Sequence, residues 1–152
     1  MTVRECVGSD AASIETLFQE FVAYLRSIGD ENVYRFSAQQ YLIDGFGADP
    51  VFRGFVAEDA SGLIGYLLFS RFYDGDYVRG FYIVDLYVRQ DCRGRGVGRS
   101  LINAVRRRAI DEDIPRLSWA VHKNNTDALR FYEHLGAQYC ANTKFMYLDV
   151  PV

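Results

Sequence analysis

Residues 84 to 100 constrain the fold more than any other stretch of the chain. Val84-Asp85-Leu86-Tyr87-Val88 is dense in β-branched and aromatic side chains, and Arg93-Gly94-Arg95-Gly96-Val97-Gly98-Arg99-Ser100 follows it closely. The pattern predicts a strand that leaves through a glycine-rich turn into the first turn of a helix. A helix that starts this way presents amides without intrahelical partners, its dipole adds positive potential, and glycines let a ligand approach the backbone. The junction is an anion site suited to a pyrophosphate. It is not the dinucleotide fingerprint, because counting from Gly94 and Gly96 places the required third glycine at Arg99. It is not a P-loop either, since no Gly-Lys-Ser/Thr follows.

Charge marks the same segment. Residues 89 to 108 hold seven arginines and one aspartate, a local +6, which leaves −9 for the rest of a chain of net charge −3. One basic segment in an acidic chain fits a localised anionic group, while the acidic remainder favours a cationic second partner. With a pI near 5.4, nucleic acid is not an expected partner. At 152 residues the expectation is one domain spanning residues 1–152. No apolar run approaches the roughly 20 residues that span a bilayer, so no membrane association and a cytoplasmic location are expected. Cys6, Cys92 and Cys140 are too scattered for a disulfide framework or a Cys-x-x-Cys pair, and with only His122 and His134 besides, no metal is expected.

The remaining elements follow from periodicity. Thr2 to Cys6 reads as a short strand, and Asp10 as the cap of a helix whose Ile14, Leu17, Phe18, Phe21, Val22, Leu25 and Ile28 recur at helical spacing. Ser37 and Gln40 form a capping-box pattern for a second helix ending at Gly45-Phe46-Gly47. Phe52–Glu58, Leu63–Phe72 and Gly80–Val88 read as antiparallel strands, with Asp59 to Gly62 as a hairpin turn. Ser100–Ile110 is a helix, Leu117–Val121 a strand, Asn125 the cap of a helix ending at Gly136, and Lys144–Asp149 a last strand. This is an α/β chain with a mixed, mostly antiparallel sheet and helices on both faces.

Arg93-Gly94-Arg95-Gly96-Val97-Gly98 resembles the Arg/Gln-x-x-Gly-x-Gly/Ala signature of the GCN5-related N-acetyltransferase superfamily, after that superfamily's strand ending Leu-Tyr-Val. The Asn124-to-Ala137 block, with its Asn, Ala, Phe-Tyr and Gly, is similar to the second conserved block. Asp44-Gly45-Phe46-Gly47 and Asp85-Leu86-Tyr87-Val88 resemble the diamine and polyamine branch more narrowly. The resemblance covers residues 2 to 149. It implies that the amides from Arg93 to Gly98, with Arg99 beside them, hold the pyrophosphate of acetyl-CoA. It also implies that Leu86, Tyr87 and Val88 flank the pantetheine arm in a splay between two strands, and that Asn125 contacts that arm.

By the same resemblance Tyr132 is the general acid that protonates the departing thiolate, Tyr24 lies in the acceptor region, and the chain is a homodimer. The acceptor is then a small cationic diamine, polyamine or lysine-like amine. Other amines (amino acids, aminoglycosides, proteins) and a non-catalytic CoA sensor are the alternatives. Asp30 and Glu31 offer negative charge to such a cation. Position 84, a glutamate general base in the branch, is valine here. Asp85 is the neighbouring candidate, yet strand alternation turns it to the opposite side unless a bulge intervenes. A water chain to Asp74, Asp76 or another acidic residue is the other route for the proton.

Overall fold

The computed structural model describes residues 1–140 and 149–150, so the expected strand Lys144–Asp149 lies outside the described residues but for its last position. The chain forms two compact units, Met1–Ala120 and Val121–Val152. In the first, five strands lie in the order β1 (Thr2–Glu5), β2 (Arg53–Asp59), β3 (Gly62–Tyr73), β4 (Arg79–Val88) and β5 (Arg116–Ser118). The first three pairings are antiparallel, and β4 pairs β5 in parallel. A parallel neighbour requires a crossover, here the helix α3 (Val97–Asp111).

One sheet face packs on α1 (Ala11–Ser27) and α2 (Ala38–Phe46), with Ile14, Leu17, Tyr41, Val56, Tyr66, Leu68 and Tyr87 as its core. The other face presents Phe55, Phe69 and Phe81, and α3 covers it with buried Leu101, Ile102 and Val105. Arg53 closes that layer: its guanidinium lies over the Phe69 and Phe81 rings at 5.1 and 5.2 Å and meets Glu112, at the end of α3, at 3.1 Å. Arg71 reaches the same carboxylate at 2.7 Å.

Several boundaries differ from the sequence reading for local reasons. Asp10 occupies the α1 cap position, but its carboxylate accepts from Arg4 at 2.8 and 2.9 Å and from the Val7 N–H at 2.9 Å, so it ties β1 to the turn before the helix instead. Ser37 does cap α2 by accepting the Gln40 N–H at 3.1 Å, while the Gln40 side chain goes forward to Asp44 and leaves the box half-made. Helix α3 begins at Val97, three residues before Ser100; burial of the Val97 side chain outweighs the poor helix propensity of Gly98. Strand β5 ends at Ser118 because it pairs only with Gly80, Phe81 and Tyr82 of β4.

The second unit carries α4 (Thr126–His134). The Asn125 side-chain Oδ1 caps it, accepting the Ala128 N–H at 3.2 Å, and Gly136 terminates it with a φ of +83°.

Candidate active site

The anion turn is built as its composition implies. Gly94 and Gly96 have φ of +75° and +79°, which side-chain-bearing residues rarely adopt, and nothing lies within 4 Å of where a Cβ would project from either. Val97 is buried and anchors the turn from below. The first main-chain bond of α3 runs from the Ser100 N–H to the Gly96 carbonyl at 3.0 Å, so the amides of Val97, Gly98 and Arg99 precede the helical ladder. Arg95 and Arg99 stand exposed around them. This cradle of amides, open space and positive charge fits a pyrophosphate.

Arg93 does something else. Its Nε donates to the Val88 carbonyl at 3.0 Å, and its guanidinium lies over the rings of Tyr24 and Tyr87 at 5.0 and 5.5 Å. The side chain therefore knits the turn to α1 and to the end of β4, and the Arg93 N–H donates to the Gln90 carbonyl at 3.3 Å.

Behind the turn, one edge of β4 is unpaired among the described residues. From Ile83 to Val88 it has no pairing with β5. The Arg89 N–H donates to the Ile64 carbonyl at 2.9 Å, so by alternation Tyr87 turns its main chain toward β3 while Leu86 and Val88 turn theirs to that edge. Of the three residues that the resemblance puts beside pantetheine, the structure brings Leu86 and Val88 to that edge. Tyr87 instead buries its ring against Phe21 and donates its hydroxyl to Glu20 at 3.2 Å.

The alternation argument against Asp85 does not apply, because the strand is bulged. Leu68 pairs with Asp85 and Phe69 with Ile83, leaving Val84 as the extra residue. Adjacent β3 residues face opposite sides and cross-strand partners share a side, so Ile83 and Asp85 point to opposite faces although only two positions apart. Asp85 joins Tyr66, Leu68 and Tyr87 on the α1 face. There its Oδ2 accepts the hydroxyl of fully buried Tyr66. Burial pushes the Asp85 carboxyl up to about 7, against the Tyr66 bond and the Leu86 backbone, which hold it down. Burial and the Asp85 charge together raise the Tyr66 phenol well above its ordinary value, so Tyr66 remains the donor.

The residues expected on the acceptor side, Tyr24, Asp30 and Glu31, lie on α1 and in the loop after it. Tyr24 is half-buried on α1 beneath Arg93. Asp30 is buried in the loop after α1, where its carboxylate accepts the Tyr34 hydroxyl and the Asn32 N–H, the latter at 2.8 Å. Glu31 is exposed on that loop. Burial and the Asp30 bond push the Tyr34 phenol up to about 12, and the Asp85 charge adds to the shift, so Tyr34 lies within the field of both carboxylates. Asp74 and Asp76 are elsewhere, at the β3–β4 turn, bound to Arg116 at 2.9 and 3.0 Å. Sequence reasoning missed both tyrosines: Tyr34 carries the signal of an aromatic near an acid, Asp30, whereas the partner of Tyr66 lies on another strand and leaves no local signal.

Within the second unit, Tyr132 is half-buried on α4 with its ring 5.1 Å from that of Phe131, and the buried Asn125 sits at the helix cap. The pattern of the Acetyltransferase (GNAT) family matches residues 14–137. The chain belongs to the GNAT acetyltransferase family. Members of that family draw acetyl from acetyl-CoA, and this GNAT protein is an acetyltransferase. A thialysine N-epsilon-acetyltransferase of Bos taurus is 31% identical over 144 residues, 90% of this chain and 83% of that one. An L-ornithine N5-acetyltransferase of Arabidopsis thaliana is 37% identical over 75 residues, 49% of this chain and 33% of that one. Among solved structures, a tetramutant of the BH1408 protein from Bacillus halodurans shares the fold, with a TM-score of 0.82 at 21% identity over 97% of this chain and 100% of that one. Among the described residues no group of three or more His, Cys, Asp or Glu is placed to hold a metal, and no helix is long and apolar enough to cross a membrane.

Proposed function

We propose that this GNAT protein acetylates the primary amine of a small cationic acceptor of the thialysine, ornithine or polyamine type, as a cytoplasmic homodimer. The observation that carries the reading is the bulge at Val84. It turns a carboxylate onto the sheet face covered by α1, the helix that with its following loop carries Tyr24, Asp30 and Tyr34, beside the β4 edge that leads from the anion turn. From Val88 back to Val84 that edge runs about 13 Å.

The amides from Gly94 to Gly98, with Arg95 and Arg99, hold the pyrophosphate, and the main chains of Leu86 and Val88, with Asn125, hold the pantetheine arm. Acetyl-CoA supplies the activated acetyl thioester. Asp30 sets the position of Tyr34, and this pair with Glu31 and Glu20 gives the acceptor a field that favours a cation. An alkylammonium with an ordinary pKa near 10 has to lose a proton before its nitrogen can attack, and Asp85 accepts it. The C–N bond forms as the C–S bond breaks, and Tyr132 gives its hydroxyl proton to the departing sulfur. On becoming an amide the nitrogen sheds a second proton, which returns through solvent to the Tyr132 oxygen, so the transfer closes without a covalent enzyme intermediate.

Support for the acceptor class comes from the thialysine and ornithine relatives and from the acidic, aromatic α1 face. The test is product identification: acetyl-CoA with an equimolar panel of thialysine, ornithine, lysine, spermidine, putrescine and an aminoglycoside, read by mass spectrometry. Acetylation concentrated in the diamino acids or polyamines is expected. Acetylation of the aminoglycoside alone would move the acceptor to another class. Acetyl-CoA binding with no product from any amine or protein would favour a sensor. Sedimentation of only a 17.4 kDa species at micromolar concentration would remove the homodimer.

A further inference from the structure

Tyr66 has no part in the mechanism above, yet its environment is unusual for a core aromatic. It is completely buried on β3 among Leu17, Tyr41 and Leu68, where a phenylalanine would pack equally well, and its one polar atom is aimed across the strand pair at Asp85. A buried hydroxyl costs free energy unless it finds a partner. Here the partner is the carboxylate that only the Val84 bulge brings to this face.

We propose that Tyr66 is a positioning residue, its phenol fixing the Asp85 carboxylate in one rotamer at the bulge so that it meets the acceptor amine. The proposal rests on the reading of Asp85 as proton acceptor. The proton passes from the acceptor's ammonium to the Asp85 carboxylate and thence to solvent, while the Tyr66 proton stays on its own oxygen throughout.

The groups around Asp85 set the sign of the test. Tyr66 approaches from β3, and the Leu86 backbone from β4 itself. Tyr34, held by Asp30 in the loop after α1, feels the Asp85 charge. Tyr87, bonded to Glu20 of α1 and overlain by Arg93, acts on Tyr66. The Tyr66 bond favours the ionised carboxylate, so its removal shifts Asp85 toward the protonated, inactive form.

The experiment compares the wild type with Tyr66→Phe, and with Tyr41→Phe as a control that loses a hydroxyl bonded to the Val7 carbonyl and not to Asp85. Aspartate labelled with ¹³C at the side-chain carboxyl reports the Asp85 titration, assigned by Asp85→Asn, and amine-dependent CoA release gives kcat/KM from pH 5.5 to 9.5. Expected is a rise of about one pH unit in both the Asp85 titration and the acidic limb in Tyr66→Phe, with neither moved in Tyr41→Phe. If Tyr66→Phe does not stay folded, 3-fluorotyrosine at position 66 strengthens the donor and moves both readouts down. An Asp85 titration unchanged by either replacement overturns the positioning role. A titration that moves without the acidic limb overturns it too, since the reacting proton then goes elsewhere. A wild type inactive on every amine overturns the acetyl-transfer reading itself, whatever the carboxyl signal does.

Discussion

At the scale of single residues, the arrangement turns on two positions whose neighbours leave little freedom. Asp85 is destabilised as an anion by burial, and this has a consequence for stability as well as for rate. Its folded value of about 7 lies above the ordinary 3.8, so the folded chain binds more protons than the unfolded one between those limits. Stability therefore falls as pH rises from about 4 to about 7, and the deficit is complete above that. Asp85→Asn should accordingly melt higher than the wild type at pH 8, with the difference vanishing near pH 3.5, while amine-dependent kcat/KM drops by about 100-fold or more. Differential scanning calorimetry at the two pH values, beside the turnover assay, checks both halves. Gly96 is the second position. An alanine there is held at a φ of +79° and puts a methyl into the space left for the ligand. Gly96→Ala should cost about 1–2 kcal/mol in backbone strain and weaken acetyl-CoA binding about tenfold or more by titration calorimetry.

Among the elements, helix α3 supplies the anion turn at its start and an ion-pair anchor at its end. Glu112 is held by Arg53 and Arg71, and these guanidiniums bring its carboxyl down to about 2 from an ordinary 4.5. The stabilisation is full above about 4.5 and is lost as pH falls through that value toward 2, so Glu112→Gln should flatten the acid side of the stability curve measured by urea unfolding. Leu101→Ala, at a fully buried site on the same helix, should cost about 3 kcal/mol at neutral pH. The strand, turn and helix of this region were legible because glycine spacing, β-branched density and arginine content all speak locally. The bulge at Val84 was not, since an extra residue in β4 is defined by its register against Leu68 and Phe69, far away in sequence. The Tyr66–Asp85 pair escaped for the same reason: its members lie on different strands, and nothing in either segment names the other. Arg93 was legible as part of the turn, but its stacking on Tyr24 and Tyr87 depends on where α1 falls.

For the whole molecule, the charge segregation seen along the chain takes spatial form within the first unit. Arginines 95 and 99 surround the turn where phosphates would sit, and Glu20, Asp30 and Tyr34, on α1 and in the loop after it, accompany Asp85 where a cation would enter. Some of the arginine charge is already engaged, Arg89 with Asp91 at 2.7 Å and Arg108 with Glu5, so the turn is less positive than the sequence count. In the proposed reaction the two regions serve one acetyl transfer to a small cationic amine, and Asp85 takes the proton. The most direct measurement is thiol release from acetyl-CoA with thialysine or spermidine as acceptor, in the wild type, Asp85→Asn and Tyr132→Phe. Amine-dependent release by the wild type is expected, with kcat reduced about 100-fold or more in each variant and acetyl-CoA affinity retained. Release by Asp85→Asn at the wild-type rate would contradict the role of Asp85 as proton acceptor.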